Sequence, residues 1–176
     1  MSARTTSFLG GSILAIWAAL TIPGVQASGA GLVAFTGIGS GLSAGALSTC
    51  PAGLCPGSDS CVCVPISGTG KAGTIGNLNF STTVVLDGSQ AIGNCDEAFG
   101  TLTLASKSKA SNALVLDYTG TVCVAGGTAF VLNAAYFIDG TKSTGKYAGA
   151  TGSGNLAGSE NGSSGILGNL NGTLLQ

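Results

Sequence analysis

Histidine is absent from the 176 residues, and charge is scarce: six basic and seven acidic side chains, none of them between Arg4 and Asp59. Without histidine, Ser-His-Asp and Cys-His nucleophiles and histidine-ligated metals are excluded. So few lysines and arginines build no basic patch for nucleic acid or an anionic membrane. There is no Cys-x-x-Cys pair for dithiol redox chemistry or a zinc knuckle. No apolar run reaches the ~20 residues that cross a bilayer as a helix. No segment after Ala27 sustains helical amphipathicity. Solubility must come from Ser, Thr, Asn and Gly, and a surface of that kind suits self-association or an extracellular partner.

What is present begins with an export signal. Arg4 supplies a positive start, Phe8 to Ile22 an apolar core, Pro23-Gly24 a helix break, and Val25-Gln26-Ala27 a small-x-small cleavage site. Cleavage after Ala27 leaves a secreted chain with five lysines against seven acids and no stable membrane span. Its length fits one domain. Residues 28–49 are Gly, Ala and Ser with scattered apolar residues, and read as a loosely attached leader or a short first strand. Residues 50–176 read as the folded domain.

Period-two alternation dominates that domain. Leu78, Phe80, Val84 and Leu86 share one face, and Phe130, Leu132, Tyr136 and Ile138 share another. TLTLAS and NALVLDYTGTVCV alternate in the same way. Turn-forming residues interrupt the pattern at Asp87-Gly88, Lys107–Ser111, Gly126-Gly127 and Asp139-Gly140. The expected fold is all-β, an antiparallel small barrel or sandwich.

Six cysteines in an exported chain make a disulfide framework. If Leu104 pairs with Leu114 and Leu102 with Leu116 across the KSKAS turn, the same register sets Cys95 opposite Cys123. Cross-strand neighbours lie within disulfide reach, and closing that loop contributes about 3–4 kcal/mol in the chain-entropy account. Cys61 and Cys63 flank one valine, so on a strand they share a face ~6.6 Å apart, beyond the ~3.8 Å that a bridge prefers. They therefore bond to Cys50 and Cys55, in an order the spacing leaves open. The cluster is a staple, and neither a metal nor any other cofactor is implied.

Two chemical motifs fall short. GTKSTGKY, residues 140–147, has the spacing of a phosphate loop, but Tyr147 stands where magnesium needs Ser or Thr, and no helix-forming run follows. Asp87, Asp117 and Asp139 are the remaining material for a carboxylate hydrolase, each at a strand end or on a solvated face. No catalytic residue is assigned.

Thr144-Gly145-Lys146-Tyr147-Ala148-Gly149-Ala150-Thr151-Gly152 resembles a segment of exported bacterial relatives of the allene oxide cyclase and dirigent type of small β-barrel. Residues 139–143 depart from that pattern. The resemblance implies an eight-stranded barrel with an apolar interior and a small hydrophobic ligand. In physical terms, an aromatic on a strand flanked by small residues lets backbones approach closely at a barrel corner. Tyr118, Phe130, Tyr136 and Phe137 are the aromatics placed to line either such an interior or an ordinary core. The first functional expectation is a non-catalytic secreted β-domain that binds or assembles outside the cell. A carrier of a small apolar ligand is the second, and a carboxylate hydrolase the third.

Overall fold

The computed structural model describes residues 31–43, 48–51, 53–55, 61–125, 129–161 and 165–176; the export signal and the Gly126-Gly127 turn lie outside them. The strands are β1 (Leu32–Ser43), β2 (Ser48–Thr49), β3 (Cys61–Ala72), β4 (Gly76–Ile92), β5 (Cys95–Ser106), β6 (Ala113–Ala125), β7 (Ala129–Ile138), β8 (Ser153–Asn161) and β9 (Gly165–Leu175). The long strands pair antiparallel in the order β1-β9-β8-β7-β6-β5-β4-β3, and β1 also pairs with β3. That last pairing closes an eight-stranded barrel, so of the two expected architectures the barrel forms. The short β2 sits beside the start of β3, with Ser48 opposite Cys63.

The alternation read from the sequence is the inside–outside alternation of this wall. Leu78 and Val84 on β4, Leu102 and Leu104 on β5, Leu114, Leu116 and Tyr118 on β6, and Tyr136 and Ile138 on β7 belong to one buried core. Inward aromatics are matched with glycines across the strand. Phe35 pairs with Gly172, Phe80 with Gly68, Tyr118 with Gly100 and Tyr136 with Gly154. The side chains of Phe80, Tyr118 and Tyr136 lie over the neighbouring backbone where a side chain would otherwise stand. A Cβ on Gly68 would lie 2.7 Å from the Phe80 ring, and one on Gly41, a strand further, also 2.7 Å. Eight strands enclose little space, and these pairs let large rings fit inside it.

Of the two readings of residues 28–49, a loosely attached leader or a first strand, the Leu32–Ser43 stretch takes the second and is β1. Glycine is a poor strand former, yet Gly37, Gly39 and Gly41 occupy inward positions where β1 must approach β3 and the Phe80 ring. Asp87-Gly88 is likewise not a turn. β4 runs on to Ile92 with a register irregularity between Asp87 and Ile92. Such an irregularity bends a strand without ending it.

Three disulfides fasten the wall. Cys95–Cys123 joins residues opposite one another in the β5–β6 ladder, in the register inferred from the leucines. Cys50–Cys63 and Cys55–Cys61 settle the open pairing as a nested one. Cys61 and Cys63 share the outer face of β3, packed with Val85 and Phe99.

One end of the barrel carries the turns after β3, β5 and β7, and the connection after β7 plugs it. Tyr147 is fully buried there within the barrel core, and its hydroxyl donates to Thr74 O at 3.1 Å. Tyr147 stands on a single 3-10 turn, Gly145–Tyr147, and not on the strand that the corner argument assumed. Glycine is required at Gly145, where φ is +62° and Asn112 packs against the backbone.

The inward glycines separate two kinds of substitution. Gly68→Ala should lower stability by about 1–3 kcal/mol, because its Cβ would meet the Ser40 and Gly41 backbone of β1 as well as the Phe80 ring. A Cβ at Gly158 would find its nearest neighbour 3.6 Å away. Gly158→Ala should be neutral or stabilising by about 0.5–1 kcal/mol. Urea midpoints of the two variants check this, and equal effects would refute the ring-over-glycine account.

Candidate functional site

Two concavities have the size and place to matter. The first is inside the barrel, a cavity of about 90 Å³ lined by apolar groups that include Phe80, Val84, Leu102, Leu132, Leu156 and Ile166. Gly37, Gly39, Gly158 and Gly168 form its bare-backbone stretches. Thr82 and Tyr118 are among its lining residues, and their hydroxyls bond to each other at 2.9 Å. Burial pushes the Tyr118 hydroxyl up to about 12, against a smaller downward pull from Thr82. Tyr118 is therefore neutral at any physiological pH.

The second concavity is larger and lies on the outer wall. It is a groove of about 1030 Å³ whose lining includes Ile38, Thr69, Lys71, Ala157, Leu167 and Asn169. β1 and β9 form its floor, where the wall carries glycine on its inner side. Ile38 and Leu167, on adjacent strands, are 72% and 65% exposed.

The four aromatics singled out in the sequence separate. Tyr118 lines the cavity. Tyr136 faces inward and is buried, but its hydroxyl lies against Gly154 and Gly172 and finds no hydrogen-bond partner among the described residues. Burial raises its pKa as well. Phe130 takes an inward position at the end of the barrel opposite the plug and is 41% exposed. Phe137 faces out and is 56% exposed. It stands between Tyr136 and Ile138, both inward, so strand alternation turns it outward. It belongs neither to the interior nor to the core.

The carboxylates are engaged in holding the structure. Lys142 Nζ lies 2.9 Å from both Asp117 and Asp139. The Thr141 hydroxyl, followed by Lys142, holds the Asp139 carboxyl well below the usual carboxylate range. Thr101 donates to Asp117 at 2.7 Å. Asp87 is buried higher on β4 and accepts from the Ser89 hydroxyl and N–H. A general acid needs a carboxyl that is protonated near neutral pH, and Asp139 is held in the opposite state. The near phosphate loop is also spoken for, since Lys146 Nζ donates to Thr74 O at 2.9 Å and no helix follows.

Among the described residues no cluster of His, Cys, Asp and Glu could hold a metal ion, and no helix is long and apolar enough to cross a membrane. The chain matches no known protein family, no curated protein and no solved structure.

Two titrations follow. A tyrosine pKa raised by burial favours the fold below the ordinary value of about 10, and that contribution is lost as pH climbs toward 12. Phenolate absorbance should show a late step near pH 12 that Tyr118→Phe removes; the same substitution, by leaving Thr82 unpartnered, should cost about 1 kcal/mol. Asp139 has the opposite sign. Its depressed pKa favours the fold above about pH 4, and this is lost as pH falls further. Asp139→Asn should flatten the acid limb of the thermal midpoint plotted against pH.

Proposed function

We propose that the chain is an exported, non-catalytic β-barrel domain that binds or assembles through its outer surface, outside the cell. The observation that carries this reading is how space is divided. Among the described residues, the inner cavity measures about 90 Å³, whereas the concavity of about 1030 Å³ is on the outer wall. Export is supported by the signal-like N-terminus and by three disulfides, which persist in oxidising compartments.

Carriage of a small apolar ligand is the second reading, favoured by the cavity's apolar lining. Size limits it. A dry cavity of ~150 Å³ holds benzene, and ordinary ligand pockets start near ~300 Å³, so only something smaller would enter without displacing a ring. Kinship with allene oxide cyclase and dirigent-type barrels is proposed on residues 144–152, with the strand number in its support.

Outer-wall and interior variants discriminate the two readings. Thr69→Asp with Leu167→Asp changes two residues that line the groove and not the cavity, and should keep the thermal midpoint while abolishing cross-linking of the protein to partners on intact cells of its own culture. Leu132→Phe, at a residue that lines the cavity and not the groove, narrows the cavity and should leave that cross-linking unchanged. The reverse pattern, or recovery of the protein from the cytoplasm with free thiols, would overturn the reading.

A further inference from the structure

Every lysine of the described residues sits at the plugged end of the barrel. Lys71 is at the close of β3, Lys107 and Lys109 are in the turn after β5, and Lys142 and Lys146 are in the plug. Both ion pairs among the described residues belong to Lys142, with Asp117 and Asp139. Lys71, Lys107, Lys109 and Lys146 are exposed and meet no carboxylate among those residues. The remaining described acids lie toward the other end: Asp87 high on β4, Asp96 and Glu97 at the start of β5, and Glu160 at the end of β8. With so few charges in the chain, this separation leaves one end of each sign.

Strands of 12 residues, tilted as a barrel requires, put roughly 30 Å between the ends. That is several times the ~8 Å screening length at physiological salt, so each end presents its own field. Both ends also bear exposed apolar groups. Leu32 and Val33 lie at the plugged end; Ile92, Val124 and Phe130 lie at the open one. Two like ends repel, whereas unlike ends attract and can cover both apolar rims. A contact between different surfaces of identical chains does not close on itself unless the rotation happens to make a ring.

We propose that the barrel associates head to tail with further copies of itself, the acidic open end of one copy seated on the lysine-rich plugged end of the next. The contact is made by the ends; Lys71 and Lys107 border the outer groove as well, so the open-end variants, which change no groove residue, separate this proposal from the outer-wall reading.

The test is sedimentation velocity of the oxidised, processed protein over a concentration series at low and high salt. A ladder of species beyond the dimer is expected at low salt, lost at about 0.5 M NaCl. Lys107→Glu with Lys109→Glu makes the plugged end acidic, and Asp96→Lys, Glu97→Lys and Glu160→Lys together make the open end basic. Each charge-reversed variant alone should need about tenfold more protein to associate. Mixing the two should restore association, because each then offers the other an opposite end. Should the open-end reversal prevent folding, Asp96→Asn with Glu97→Gln and Glu160→Gln halves the charge change and should still weaken association of the variant alone. A monomer at every concentration, growth that stops at a dimer, or variants that assemble like the parent would each overturn the proposal. Such a result leaves outer-wall binding untouched.

Discussion

Seven residue pairs between β1 and β3, from Gly37–Ala72 to Ser43–Ile66, turn a sheet with two free edges into a barrel with none. Free edges invite pairing with other chains, and a chain with so little charge has few means of discouraging it. Closure is therefore the constraint that the other features serve. To reach both β9 and β3, β1 must lie close to its neighbours, and a Cβ on Gly70 would collide with the Ile38 carbonyl opposite. Glycine at these inward positions is what lets the last seam form. The aromatic rings then fill the volume that the glycines leave. Phe35, Phe80, Tyr118 and Tyr136 stand on four different strands, each opposite a glycine.

A closed wall still has two ends. The plugged end is sealed by Tyr147, held from two directions, by its hydroxyl on Thr74 and by Lys146 stretched over its ring at 4.8 Å. At the other end the disulfides take over. Cys95–Cys123 fixes β5 to β6, and the nested pair ties residues 50–55 to the outer face of β3. The ion pairs of Lys142 stiffen the connection that carries the plug, where charge substitutes for a core that a short loop cannot build.

Much of this was legible in the sequence, and the rest was hidden for identifiable reasons. Period-two alternation marks strands whenever one face is buried, and it set the inward residues of β4 and β7 correctly. The Cys95–Cys123 register followed from leucine pairing because a ladder allows no slip without exposing a buried face. β1 was obscured because glycine was weighed by strand propensity alone. The informative signal was phase: Phe35, Gly37, Gly39 and Gly41 recur at alternate positions, as inward residues must. Phe137 could have been turned outward by the same rule that set Tyr136 and Ile138 inward. The plug had no such signal, since whether a loop folds under a barrel depends on the space the opposite strands leave.

Volume also orders the functional readings. The rings that surround the cavity are not spare packing, because each covers bare backbone on the strand beside it. A ligand larger than the cavity would have to drive Phe80 off Gly41 and Gly68, or Tyr118 off Gly100 and away from Thr82. Exposing a buried aromatic costs about 1.5–3 kcal/mol, and an orphaned hydroxyl adds about 1–3 kcal/mol. The ligand would have to supply that before gaining any affinity. Contacts on the outer wall or at the barrel ends carry no such cost, since the groups there are already exposed and the backbone beneath them is already paired. The closure that makes the fold possible thus leaves the larger of the two concavities on the outer wall.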